Sequence, residues 1–325
     1  MALWLSNTPS IIDGYTLNPG DLSWKALNKL GEVTVYDRTK PEDVVERIGD
    51  ADVILTNKTL ITREVIEACK SIRYVGCLST GYNVVDLKAT DDRDIVVTNI
   101  PAYGTEAVAQ HTMALLLEIA SRVGMHADAV REGQWTQCQD FCFWNAPLFE
   151  LNGKTIGIIG YGAIGQAVAH KAEAFGMEVL AYSPSMTKDQ ETAHYHKASV
   201  EEIYEKSDVI ALHCPLNANN AQMINKKAIA QMKDGVVLIN TSRGGLIQEN
   251  DLAEALNCGK VAAAGLDVVS TEPIYEDNPL LKAKNVWITP HIAWAPKEAR
   301  ERLLGMAIDN VAAFLAGTPT NRVHG

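Results

Sequence analysis

Thr155-Ile-Gly-Ile-Ile-Gly160-Tyr-Gly162-Ala-Ile-Gly165 is a β-rich run entering a Gly-x-Gly-x-x-Gly turn, and the residues after it, Gln166 to Phe175, carry a helical pattern that Gly176 stops. Such a turn needs positive φ at Gly160, no side chain at Gly162 where the backbone meets a pyrophosphate, and close helix packing at Gly165. The exposed N–H groups at the helix start, around Ala163 and Ile164, would hold the phosphates. With a strand before it and a helix after it, the turn predicts a dinucleotide site rather than a tight connection that uses glycine for packing alone. An acidic residue about twenty positions further on would bind the adenosine ribose 2′-hydroxyl and repel a 2′-phosphate. Ser183 stands there instead, eighteen residues beyond Gly165, and Lys188 is the nearby cation. NAD is the expected cofactor, with NADP left open.

Outward from the turn, Thr155 to Gly160, Glu178 to Ser183, Val209 to His213, Val236 to Thr241, Ala262 to Asp267 and Val286 to Thr289 make six strand candidates separated by helix-length spacers, the count of a dinucleotide-binding fold. Upstream, Ala2 to Leu5, Val33 to Tyr36, Val53 to Thr56, Tyr74 to Leu78 and Ile95 to Thr98 form a second series, with helix starts at Pro41-Glu-Asp and Thr62-Arg-Glu. Between the two series, Thr105 to His126 reads as one long helix bridging two bodies, and Arg131 to Asn152 as an irregular, aromatic excursion suited to a dimer contact. Pro296 to Leu315 closes the chain as an amphipathic helix expected to pack back on the first domain. The fold class is α/β: a discontinuous, flavodoxin-like substrate domain (1–100 and 291–325) and a Rossmann NAD(P)-binding domain (101–290), both doubly wound around parallel sheets.

Composition narrows the function classes. The 325 residues are 47% hydrophobic and 21% charged, as expected of a folded protein with more than one core. A net charge of -11 disfavours nucleic acid, whose phosphates are neutralised by clustered Lys and Arg. No apolar run reaches the length of a membrane span, and Asn7, Pro9 and Asp13 interrupt the N-terminus where a signal peptide would be apolar. A cytoplasmic address follows as the expectation, and the six scattered cysteines read as free thiols. Cys138 and Cys142 have no second Cys or His pair at zinc-site spacing, so no metal is expected. His194 and His196 flank Tyr195 on an expected loop and read as solvated.

Three late segments each end a strand with polar residues: Ile239-Asn-Thr-Ser-Arg243-Gly-Gly, Ser270-Thr-Glu272-Pro and Trp287-Ile-Thr-Pro290-His291-Ile-Ala-Trp294. Singly, they read as a surface arginine, a capping glutamate and a core histidine. Together, at adjacent strand ends of a dinucleotide fold, they supply what reduction of a 2-oxo acid needs. A guanidinium grips a carboxylate with two parallel hydrogen bonds. A histidine gives the developing alkoxide its proton near neutral pH, and a neighbouring carboxylate favours the imidazolium.

With Leu78-Ser-Thr-Gly-Tyr-Asn-Val-Val-Asp86, Tyr103-Gly-Thr-Glu-Ala-Val-Ala-Gln-His-Thr112, Leu212-His-Cys-Pro-Leu216 and Ala264-Gly-Leu-Asp-Val268 added to these, the sequence resembles the D-isomer-specific 2-hydroxyacid dehydrogenases over nearly its whole length, and most of all the glycerate dehydrogenase (hydroxypyruvate reductase) members. The resemblance implies that Arg243 binds the substrate's carboxylate and carbonyl, that His291 is the general acid, and that Glu272 orients His291. It implies that backbone N–H groups around Ser79, Thr80 and Gly81 also hold the carboxylate in a cleft between the domains. Asp267 would hold the nicotinamide carboxamide, while Thr112, His213, Cys214, Pro215, Thr241 and Ser242 line the cofactor. Trp294 either closes over the substrate or packs the domain seam. The family's usual acidic residue is absent at Ser183.

The expected reaction is reduction of hydroxypyruvate or glyoxylate to D-glycerate or glycolate by a homodimer. A D-lactate-type or bulkier 2-oxo acid enzyme is the alternative within the class. Outside it stands an NAD-sensing, corepressor-like binding protein, which acidic charge and the lack of an interaction tail disfavour. Formate dehydrogenases of this superfamily carry glutamine where Glu272 stands.

Overall fold

The computed structural model describes residues 8–184, 191 and 195–325. The elements follow in chain order as β1 (Pro9–Ile11), β2 (Thr34–Val35), α1 (Val44–Ile48), β3 (Val53–Thr56), α2 (Arg63–Ala68), β4 (Tyr74–Cys77), α3 (Leu87–Asp91) and β5 (Val96–Thr98). Next come α4 (Thr105–Ser121), α5 (Val123–Arg131), β6 (Thr155–Ile159), α6 (Ala163–Ala174), β7 (Glu178–Tyr182), β8 (Tyr195–Lys197), α7 (Val200–Lys206) and β9 (Val209–Leu212). The chain finishes with α8 (Lys226–Gln231), β10 (Val236–Asn240), α9 (Glu249–Cys258), β11 (Val261–Leu266), β12 (Val286–Ile288), α10 (Lys297–Leu315) and β13 (Arg322–Val323).

Two compact units result, one from the residues up to Gly104 together with Ala295–Gly325, the other Thr105–Trp294. The sequence puts the second boundary at 290/291, and the compact unit instead runs on to Trp294.

In the first unit the sheet order is β13-β5-β4-β3-β1-β2. Its parallel part is the flavodoxin-like arrangement 2-1-3-4-5, with β13 added antiparallel on β5. One face buries Ile54, Val75 and Val97 against α1, α2 and α3 through Val44, Ile48, Ile66 and Ala89. On the other, α10 lays Phe314 on Tyr74, ring centroids 4.9 Å apart, and Asn310 donates to the Asn99 carbonyl at 3.0 Å. The Arg300 guanidinium clamps Asp21 with two bonds of 2.7 Å. The first strand is Pro9–Ile11; the expected strand Ala2 to Leu5 lies outside the described residues. Proline is tolerated here because it is the strand's first residue.

In the second unit the order is β12-β11-β10-β9-β6-β7-β8, all parallel. Side chains alternate between two cores, as a strand's period of two demands. Ile156, Ile158, Val237 and Ile239 meet Leu116, Val168 and Ala172 of α4 and α6. Ile210, Leu212, Leu238 and Leu266 meet Ile203, Ile229 and Leu252 of α7, α8 and α9. Helices thus cover both faces, as an all-parallel sheet requires. Two expectations need correction. Tyr195–Lys197, read as a loop, is an edge strand, so the sheet has seven described strands and His196 lies on β8; His194 lies outside the described residues. The long helix from Thr105 breaks after Ser121, where Arg122 turns to φ +51, and a separate helix restarts at Val123. At this bend the Arg122 guanidinium lies 4.0 Å over the Trp287 ring.

Candidate active site

The strand order reverses between β6 and β9, and ligands of open α/β sheets bind over the carboxyl ends at such a reversal. Gly160 stands at the end of β6 with φ +107, and a Cβ there would lie 2.4 Å from the Cys214 amide nitrogen. A Cβ on Gly165 would lie 2.1 Å from the Gly160 carbonyl oxygen, so helix and turn pack too closely for any side chain. At Gly162 a Cβ would meet no atom within 4 Å. Gly162 is also the N-cap of α6 and supplies no capping side chain, which leaves the first amides of a twelve-residue helix for an anion. The Gly160 amide donates to Tyr182 O at 2.8 Å, which sets Ser183, one residue on, beside the turn. Lys188 lies outside the described residues.

His213 follows β9, and both of its ring nitrogens are occluded without a hydrogen-bond partner among the described residues. Burial pushes its pKa down from 6.5 to about 4, so the ring is neutral. Beyond it the Cys214 carbonyl accepts from Ser242 Oγ at 2.6 Å, joining the ends of β9 and β10. Pro215 is exposed. Thr112, wholly buried on α4, shares a 2.9 Å hydroxyl contact with Thr241. These residues fit a dinucleotide: a glycine turn against a strand end, an uncapped helix start, and open space above Gly162.

Arg243 reaches its position through a turn that Asn240 organises. The Asn240 amide donates to Arg243 O at 2.9 Å and its carbonyl accepts from Ser242 N at 3.0 Å. Sequence reasoning passed over Asn240, although asparagine ending a strand before Thr-Ser is a turn signal. The Arg243 side chain is exposed and donates from Nη1 to Ser242 O at 2.8 Å.

After β11, Asp267 is 1% exposed. Its carboxylate accepts from Ile292 N at 2.9 Å, from Ala293 N at 2.8 Å and from the Thr289 hydroxyl at 2.6 Å. Its carbonyl accepts from His291 N at 2.9 Å. The loop beyond β12 is thereby stitched to the end of β11. Glu272 Oε2 lies 2.6 Å from His291 Nδ1. A carboxylate only accepts, so Nδ1 carries a proton and Nε2 is the nitrogen left to exchange one with a ligand. Trp294 Nε1 donates to His291 O at 2.9 Å, which makes this indole a brace of the histidine's own turn.

The structure therefore gathers the segments of Arg243, Glu272 and His291 at the carboxyl ends of three neighbouring strands, β10, β11 and β12. Ser79, Thr80 and Gly81 belong to the first unit, in the loop after β4. There the Thr80 hydroxyl donates to Ile100 O at 2.8 Å and Asn99 Nδ2 to Thr80 O at 2.7 Å, while among the described residues the N–H groups of all three donate to no protein acceptor. Among the described residues no three His, Cys, Asp or Glu side chains cluster as a metal site, and no helix is long and apolar enough to cross a membrane.

Residues 113–293 match the family model of the D-isomer specific 2-hydroxyacid dehydrogenase NAD binding domain. A hydroxypyruvate reductase of Blautia hydrogenotrophica is 56% identical over 317 residues, covering 97% of this chain and 98% of the relative. A glycerate dehydrogenase of Methylorubrum extorquens is 37% identical, covering 94% and 96%. The D-lactate dehydrogenase of Aquifex aeolicus, solved with NAD and lactic acid, superposes with a TM-score of 0.82 at 31% identity, covering 98% of this chain and 99% of that one.

Proposed function

We propose, for a chain that belongs to the D-isomer-specific 2-hydroxyacid dehydrogenase family, the NADH-dependent reduction of hydroxypyruvate and glyoxylate to D-glycerate and glycolate. The observation that carries the chemistry is the 2.6 Å contact between Glu272 and His291 Nδ1, after the carboxyl ends of β11 and β12 in the same parallel sheet whose β6 ends at the glycine turn. The substrate choice draws its support from relatives named for hydroxypyruvate and glycerate.

The turn of Gly160, Gly162 and Gly165 and the first amides of α6 would hold NADH, which when bound would supply a hydride to the substrate's C2. Every other part of the reaction falls to the protein's own groups. Arg243 holds the carboxylate and the carbonyl oxygen with its forked donors. Negative charge grows on that oxygen as the carbonyl is reduced, and a fixed guanidinium stabilises it more than mobile water does. His291 delivers a proton from Nε2. Glu272 accepts from Nδ1–H throughout, keeps the ring from rotating and stabilises its positive charge before the proton leaves. The N–H groups of Ser79, Thr80 and Gly81 take the remaining carboxylate lone pairs. In this assignment the first unit is the substrate domain and the second the dinucleotide domain.

Kinetics with hydroxypyruvate, glyoxylate, pyruvate, phenylpyruvate and 2-oxoglutarate, each with NADH and NADPH, test the reading. Hydroxypyruvate with NADH should give the highest kcat/KM, and His291→Ala should lower kcat by about a hundredfold or more while the protein stays folded. Near-normal turnover in His291→Ala would sink the acid assignment, and a marked preference for pyruvate or phenylpyruvate the substrate.

A homodimer in the cytoplasm completes the proposal. Between α5 and β6 the second unit exposes Trp135, Phe141 (89%) and Trp144 (68%) around an apolar groove of about 460 Å³ lined by Val123, Val130, Phe143 and Leu148. An apolar surface of this kind on a folded protein calls for cover, and a second copy of the same segment supplies it.

A further inference from the structure

The hydrogen bonds that converge on Asp267 extend one step further, to a histidine on α4 that plays no part in the chemistry above. Thr289 has one hydroxyl proton, and it goes to Asp267 Oδ1 at 2.6 Å because an ionised carboxylate can only accept. The Thr289 oxygen is then free only to accept. His111 Nε2 lies 3.0 Å from it, and 3.5 Å from the same Asp267 oxygen. His111 must therefore carry its proton on Nε2 and donate it. The chain of donors runs from α4 through Thr289 into a buried carboxylate, which also holds the amides of Ile292 and Ala293.

What this chain restrains is the residue between Pro290 and Ile292. His291 has φ +53, a left-handed backbone that is strained for a non-glycine residue and persists only where its surroundings over-determine it. The surroundings here are the Asp267 carbonyl on His291 N, the Asp267 carboxylate on the next two amides, and the Trp294 indole on His291 O. His111 supplies a side chain that ties this assembly to α4, a seventeen-residue helix with nine buried residues. Its own side chain is 21% exposed, so burial alone does not account for its pairing with Thr289.

We propose that His111 is a positioning residue for His291: by donating from Nε2 to Thr289 it holds the Thr289–Asp267 pair, and through it the left-handed turn, without touching the reacting atoms. The proposal rests on His291 being the general acid. A packing histidine would matter for stability only; a positioning histidine matters only while His291 works.

That difference is measurable. His111→Phe keeps the ring and removes the donor, and His111→Gln returns an N–H near the same reach. In His111→Phe, kcat should fall about tenfold, as a modest misplacement of a catalytic group does. The dissociation constant for NADH, read by fluorescence titration, should stay within about twofold, and His111→Gln should recover most of the lost rate. In a His291→Ala background, His111→Phe should change the residual rate by less than about twofold, since coupled residues are not additive. Nitrogen-15 spectra of the histidine-labelled, substrate-free protein should show His111 protonated on Nε2.

Equal losses in both backgrounds, an unchanged kcat in His111→Phe while His291→Ala is crippled, or a His111 ring protonated only on Nδ1 would each overturn the proposal. An active His291→Ala would instead remove the acid assignment beneath it. Should His111→Phe fail to fold, Thr289→Val breaks the same link from the other end and is held to the same double-variant comparison.

Discussion

His291 and Glu272 form a pair in which one ring proton has a fixed place, on Nδ1 against the carboxylate at 2.6 Å. In the proposed reaction Nε2 is then the nitrogen that would exchange a proton with the substrate. Glu272→Gln keeps the shape and an acceptor but removes the charge, and should lower kcat by about a hundredfold with little change in KM. A steady-state comparison checks this, and a kcat close to that of the unaltered protein would mean that the charge does no work. A second histidine, His213, bears on stability instead. Both ring nitrogens of His213 are occluded, and burial lowers its pKa from 6.5 to about 4 in the fold. Between those values the unfolded chain binds a proton that the folded chain refuses. Stability from this group is whole above about pH 6.5 and drains away as the pH falls toward 4. Melting temperatures across that window should drop less steeply in His213→Gln than in the unaltered protein; parallel curves would contradict the burial of its nitrogens. At this scale the sequence was informative wherever a polar residue ended a strand, as at Arg243 and His291. It was silent about His111, because its partner Thr289 is 178 positions away and nothing local marks the pair.

Elements repeat the pattern. Strands buried on both faces, such as Val209–Leu212 and Val236–Asn240, announce themselves as apolar runs and were legible within a residue or two. Those that escaped are short and edge-bound or begin badly: Tyr195–Lys197 has two exposed residues of three, and Pro9–Ile11 opens on a proline. The break between α4 and α5 was hidden for a different reason. Nothing in Ser121-Arg122-Val123 is a helix breaker, and the residue at the bend, Arg122, stacks on Trp287, a partner far along the chain. The guanidinium is almost fully buried, and its Nε has no acceptor among the described residues, so the ring face is its main compensation. Arg122→Ala should therefore lower the unfolding free energy by about 2 kcal/mol, the scale of a desolvated cation–π contact. Urea denaturation followed by circular dichroism measures it, and an unchanged midpoint would show the bend to be set by the backbone alone.

For the whole molecule, the architecture was the most legible property of all, because two alternating β/α series and one glycine turn leave few topologies open. The 2-1-3-4-5 order of the first sheet is the flavodoxin-like arrangement expected, while the second sheet carries β8 as a described strand beyond the six expected. The proposed homodimer rests on the aromatic segment between α5 and β6, with its exposed Trp135, Phe141 and Trp144. The corresponding test is sedimentation: the protein should run as a dimer, and Phe141→Asp combined with Trp144→Asp should run as a monomer. A double variant that sediments unchanged would place the contact elsewhere. The discontinuity of the first unit also bears on biosynthesis. A ribosome releases the chain from the N-terminus, so the sheet of β1 to β5 emerges long before α10, whose Phe314 and Asn310 cover its second face. The second unit is contiguous and has every residue it needs once Trp294 is out. Although its sequence starts later, it is the part that can finish folding first, and during that interval the nascent first sheet offers chaperones an apolar face.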